Sequence, residues 1–310
     1  MAILQQMIIF SLLIIVGAIA RKKQIITKEN TPQLTALVLN ITMPAIILSG
    51  ITGNAQHIAG RELAEVFVVV AATITLLILS SRILARVLNY GREYEGVIIV
   101  MTTFTNISMM GVPMIYSLFG TDAMIYMTAF LLPYNVLFFS FGYRWMRGKS
   151  AQQSGGYWQK LRQFLNPGIV ACLLALLLYL AHIQLPYLLA QPLHLLGAVT
   201  GPMSMMLIGS FLLDMDWREA IGDKKIWLYT FIKMVVIPVV IMLIMKQFVD
   251  NRLLLGVLLA AVSTPAGAGV PLLAQALNKN AYPLALKGAA LTTIAALLTM
   301  PIVAAITELN

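Results

Sequence analysis

The chain has 310 residues, of which 60% are hydrophobic and 11% charged, with a mean hydropathy of +0.87. Soluble domains carry roughly 25% charged residues, so this composition excludes an ordinary water-soluble domain. The net charge of +9 calls for no nucleic-acid partner, because its carriers are scattered over loops flanking apolar runs, where they meet anionic lipid.

Crossing a bilayer takes about 20 apolar residues, and ten such spans can be traced. The first, 4–20, precedes the cluster Arg21-Lys22-Lys23. A cleavable leader carries its charge first, so this run is expected to remain as a membrane helix. The second, 34–51, contains Leu39-Asn40-Ile41-Thr42-Met43-Pro44, and the third is 63–84. The fourth, 96–118, is interrupted by Gly111-Val112-Pro113, and the fifth, 123–143, carries Pro133 and Asn135. A polar stretch with Gly148, Ser150, Ser154, Gly155 and Gly156 follows, which predicts a cytoplasmic linker over 146–165. Asn166-Pro167 then reads as a helix cap and first turn. The sixth span, 167–185, holds the single cysteine, Cys172, and the seventh, 193–213, holds Pro202. The eighth, 226–245, contains Lys233 and Pro238. The ninth, 253–277, is interrupted by Gly269-Val270-Pro271, and the tenth, 281–306, contains Lys287.

The two interruptions lie 158 residues apart, as do Pro44 and Pro202, and Asn106 and Thr264; Arg61-Glu62 and Arg218-Glu219 match at 157. One recurring offset makes the second half a structural copy of the first. The halves are expected at 1–145 and 166–310. Five spans per half is an odd number, so the two copies enter the membrane in opposite orientations, an inverted-topology repeat. Paired, interrupted spans at equivalent positions point to a secondary transporter's binding site. Glycine and proline there free backbone groups that lipid cannot satisfy. If the fourth and ninth spans cross, their broken ends present amides and positive helix starts to an anion. The candidate binding residues are Asn106, Gly111 and Pro113 in the first break and Thr264, Gly267, Gly269 and Pro271 in the second.

Charge sets the orientation. With the N-terminus outside, 16 of the 21 basic residues fall in cytoplasmic connections and three, Arg61, Lys246 and Arg252, fall outside. The positive-inside rule therefore puts both termini outside and the central linker in the cytoplasm. All twelve acidic residues sit in loops or near span ends. Proton pumps and cation antiporters usually keep carboxylates within the membrane, so a cation is not the expected cargo. Lys233 and Lys287 are the two intramembrane cations, and at the repeat offset they face Thr75 and Ala129. A charge found in one half alone is a candidate for balancing an anionic cargo. Lys287, followed by Gly288, is favoured over Lys233. Asn135 is a further candidate cavity residue. His57, His182 and His194 have no metal-ligand spacing, and paired catalytic carboxylates are absent from the spans. No metal, cofactor or enzyme activity is expected.

On these residues the chain resembles the auxin efflux carrier family, whose plant members are the PIN proteins. Asn106-Ile-Ser-Met-Met-Gly-Val-Pro113 looks like that family's first crossover, Leu39–Pro44 like its second helix, and Lys233 with Pro238 like its eighth-helix signature. The second crossover is looser, with glycines at both 267 and 269. The resemblance implies an all-α membrane fold of ten transmembrane helices with crossed, broken helices 4 and 9, like bile-acid symporters and NhaA-type antiporters. It implies a scaffold of spans 1, 2, 6 and 7, a possible homodimer interface, and an elevator-like transport domain of spans 3–5 and 8–10. The implied cargo is a small organic anion: auxin-like acids, or malate- and malonate-type carboxylates in bacterial members. A sodium-coupled bile-acid-type symporter and a membrane ligand sensor are the alternative expectations.

Overall fold

The computed structural model describes residues 2–51, 60–147, 167–213 and 222–307. Residues 148–165 of the expected linker, the Asn166 cap, Arg218-Glu219 and His57 lie outside the described residues, while Met146 and Arg147 continue the helix before it. The described chain is helical, with one isolated antiparallel bridge between Thr105 and Ala266. Helix α1 is Ala2–Lys22. Helix α2 runs through Thr31–Leu37, a π-helical turn Val38–Thr42, and Met43–Ile51. Helix α3 is Gly60–Leu88, α4 is Glu95–Thr103 and α5 is Ile107–Phe119. Helix α6 is Met124–Arg147, α7 is Pro167–Leu180 and α8 is Tyr187–Leu213. Helix α9 is Lys224–Met245, α10 is Arg252–Ser263, α11 is Gly269–Leu277 and α12 is Tyr282–Ile306.

Among the described residues, seven helices are long and apolar enough to cross a membrane, and α5, α7 and α10 are shorter apolar helices. Their faces divide as a lipid solvent requires. On α1, Met7, Phe10 and Ile14 are buried, whereas Leu4, Ile8, Leu12, Ile15 and Ile19 form an exposed apolar stripe. An uncovered stripe of that kind would be untenable in water and is ordinary against acyl chains.

Three of the four described π-helical turns have one cause. Val38–Thr42, Ile107–Gly111 and Ile232–Val236 each end two residues before a proline, at Pro44, Pro113 and Pro238. Proline donates no amide and its ring crowds the carbonyl four residues back. Widening the preceding turn removes that clash while the helix continues. Pro202, the sequence counterpart of Pro44, instead sits inside an unbroken α8. The fourth turn, Phe138–Gly142, ends on a glycine whose added Cβ would lie 3.0 Å from Phe104 Cε2.

Two helix starts, those of α9 and α10, carry side-chain caps. Asn251 accepts from Leu253 and Leu254 amides at 3.0 and 3.1 Å. Asp223 accepts from Lys225 and Ile226 amides at 3.0 and 3.4 Å. Asp223 also receives the Tyr90 hydroxyl at 3.0 Å, and Lys225 Nζ donates to Asn89 O at 3.0 Å. These contacts tie the end of α3 to the start of α9. Burial first, then the Asp223 carboxylate, push the Tyr90 hydroxyl well above its ordinary pKa, so it remains a donor.

Helices α1 and α8 pack along each other, and α8 packs on α2, which also meets α7. Small residues let the first pair close up, the usual device where lipid supplies no hydrophobic drive between helices. A Cβ added at Gly17 would lie 2.0 Å from Met206 O, and one at Gly209 1.9 Å from Ile14 O. Both obstacles are backbone and cannot swing aside. Gly209→Ala is therefore expected to force α1 off α8 and cost about 1–3 kcal/mol. Thermal unfolding in detergent, with the exposed-face Ile19→Leu as control, would reveal this as a lowered midpoint for Gly209→Ala alone.

Candidate functional site: a crossing of two interrupted helices

Helix α4 stops at Thr103 and α5 begins at Ile107, while α10 stops at Ser263 and α11 begins at Gly269. The two gaps meet. Asn106 N donates to Pro265 O at 2.7 Å, and Gly267 N donates to Phe104 O at 3.0 Å. Thr105 and Ala266 thus face each other as a narrow antiparallel pair. Each interruption supplies the backbone partners that the other lacks.

Side chains from neighbouring helices take most of what remains. Tyr134 donates to Thr105 O at 2.6 Å, and Thr105 Oγ1 donates to Ala261 O at 2.9 Å. Ala266 N donates to Thr292 Oγ1 at 3.1 Å. Lys233, fully buried, donates to Val262 O and Thr264 O, both at 3.1 Å. These carbonyls belong to the end of α10, where orphan acceptors and the negative end of the helix dipole favour a cation. The widened turn Ile232–Val236 presents this lysine.

The two helix starts at the crossing are left open. Neither Asn106 before α5 nor Ala268 before α11 makes a side-chain cap. Of the first amides, that of Val270 donates to Gly267 O at 2.9 Å; the others in the two first turns have no capping side chain and can meet an anion. Gly269 is exposed, and a Cβ added there would meet nothing within 4 Å. Ser108 and Ala268 beside it are half-buried, so open space adjoins the start of α11. The hydroxyls of Ser263 and Thr264 are buried with no hydrogen-bond partner among the described residues.

The structure brings several sequence candidates together. Asn106 is buried at the pairing, Gly267 donates across it, and Thr264 carries a carbonyl held by Lys233. A Cβ on Gly111 would lie 3.7 Å from Thr264 Cγ2, so these two are neighbours. The position of the first break differs from the expectation. The chain departs from helix at Phe104–Asn106, whereas Gly111 and Pro113 lie within α5, Gly111 closing the widened turn that accommodates the proline. In the second half the interruption covers Thr264–Ala268, and Gly269-Val270-Pro271 opens α11.

Other candidates lie apart. Asn135 donates to Leu131 O, one turn back on its own helix, at 2.9 Å. Lys287 is half-buried on α12, is engaged in an interaction of its own, and takes no part in the crossing hydrogen bonds given above. Thr105, Tyr134 and Thr292 belong to the crossing but carry no sequence signal, since a hydroxyl that bonds backbone reads like any other. A groove of about 390 Å³ between α2, α7 and α8 is lined by Leu48, Leu174, Leu178 and other leucines with Pro192; it offers nothing to a charged ligand.

A helical, multi-pass membrane protein whose interior encloses polar backbone, a buried ammonium and two uncapped helix starts is built to handle a solute inside the bilayer. The chain matches the family model described as membrane transport protein over residues 2–155 and 157–304. It belongs to this auxin efflux carrier-like family and is a membrane transport protein. No curated protein matches it.

Removing the Lys233 ammonium leaves two buried carbonyls unpaired. Lys233→Met is expected to destabilise the protein by about 2–3 kcal/mol, read as a lowered unfolding midpoint in detergent relative to an exposed Lys22→Met control.

Proposed function

We propose that this protein carries small organic anions across the cytoplasmic membrane by alternating access. In this reading the described helices make ten spans, with α4–α5 and α10–α11 as the fourth and ninth. The spans form two inverted repeats, 1–145 and 166–310, joined by a linker at 146–165. Both termini lie outside and the linker in the cytoplasm. Helices α1, α2, α7 and α8 are the scaffold, and the remainder is a transport domain moving in an elevator-like manner. The mutual packing of α1, α2, α7 and α8 supports that division, and the scaffold is the natural surface for a homodimer.

The carboxylate of the cargo sits at the uncapped starts of α5 and α11, touching Asn106 and the backbone near Gly111, Gly267 and Gly269. Lys233 neutralises the adjoining end of α10, so the crossing is net attractive to one negative charge rather than self-cancelling. Lys287 and Asn135 have at most a supporting role at the margin. One observation carries the reading: the two helix starts at the crossing have no side-chain caps, and free space adjoins the second of them at Gly269.

That free space gives a test separate from stability. A Cβ at this exposed position meets no neighbour, so Gly269→Leu should fold normally, yet it should reduce carboxylate flux into proteoliposomes at least about tenfold. Asn106→Ala should reduce flux comparably, because an amide donor at a buried anion is worth roughly 1.5–3 kcal/mol. Unchanged flux in both variants would remove the site assignment.

A further inference from the structure

Besides Thr103, Ser263 and Thr264 at the breaks themselves, buried hydroxyls without a hydrogen-bond partner among the described residues include Thr35 Oγ1 on α2, and Thr200 Oγ1 and Ser204 Oγ on α8. Thr200 and Ser204 are fully shielded. Membrane helices usually quiet such groups on the carbonyl one turn back, as Thr102, Thr230 and Thr292 do here. Thr35, Thr200 and Ser204 do not, and neither lipid nor bulk water reaches them.

They surround a single contact. Val38 of α2, Leu207 of α8 and Met109 of α5 pack together, with Ala268 against them. Thr35 precedes Val38 by three residues and Ser204 precedes Leu207 by three, so each shares a helix face with its partner. Thr200 is one turn before Ser204. Gly201 between them would bring a Cβ within 3.3 Å of Pro113 Cβ. This face of α8 therefore meets α5 and adjoins the start of α11.

Charge limits what those hydroxyls can receive. Helices α2, α5 and α8 contain no Asp, Glu, Lys or Arg. Their one histidine, His194, is exposed and stacks loosely on Tyr116, with ring centroids 6.4 Å apart. A second carboxylate on this side would be buried without a counter-charge, which is costly. A neutral oxygen satisfies a hydroxyl at no such cost.

Resting on the carrier reading above, we infer that the cargo is a small hydroxy- or oxo-monocarboxylate. Its carboxylate lies at the starts of α5 and α11, and its neutral oxygen bonds Thr200 and Ser204, with Thr35 at the edge. Thr200 and Ser204 thereby determine specificity.

Propionate, lactate and malonate share a three-carbon skeleton and differ in this second group. Calorimetric binding to the purified full chain should give lactate at least about tenfold tighter than propionate, with malonate weaker than lactate. Thr200→Val/Ser204→Ala should bring the lactate-to-propionate ratio close to one. Thr200→Ser, which keeps the hydroxyl, should preserve the ratio. Should the double variant fail to fold, each single substitution is expected to lower the ratio. Equal lactate and propionate binding in the unmodified chain, tighter malonate, or a ratio that survives loss of the hydroxyls overturns the inference and leaves the carboxylate site standing. That last result is also what water alone on the hydroxyls would give. Failure of all three acids to bind removes the carboxylate site as well.

Discussion

Backbone amides and carbonyls have no partner in hydrocarbon, and the architecture around the crossing follows from that single constraint. A helix that breaks inside the bilayer releases polar groups whose desolvation must be met by protein. Here two breaks meet each other. The pairing of Phe104–Asn106 with Pro265–Gly267 lets each gap satisfy part of the other, and neither segment could adopt its path alone. Thr105, Tyr134, Thr292 and Lys233 complete the exchange.

The accounting is asymmetric, and the asymmetry is chemically useful. The end of α10 is held by a cation and a hydroxyl, whereas the starts of α5 and α11 have no side-chain caps. Acceptors held by a cation, beside donors without side-chain caps, give the crossing a positive local bias without an arginine among the contacts named. A permanent ion pair would have filled the same space with its own counter-charge.

Much of this was legible in the sequence, at the level of register rather than of atoms. The recurring 158-residue offset located both interrupted segments, and the isolated Lys233 marked itself as a charge out of place. The first break is displaced from its glycine and proline because a widened turn lets α5 run on through Pro113. Phe104-Thr105-Asn106 contains no helix breaker, and its path is imposed by residues 265–267 from the other half of the chain. The importance of Lys233 over Lys287 was hidden for a related reason. Its partners are two carbonyls, and a carbonyl has no letter in the sequence. Asn135 drew notice as a polar residue in an apolar run, but its amide turns back on its own helix.

The contact between Gly17 and Met206, repeated where Gly209 meets Ile14, has a mechanical meaning. A carbonyl oxygen seated where a methyl group would stand acts as a key in a slot: neither helix can slip lengthwise or rotate without first separating. Helices α1 and α8 therefore behave as one strut. Whatever rearrangement moves solute must hinge or glide elsewhere, along seams lined by pliable methionine and leucine such as the Met109–Leu207 contact.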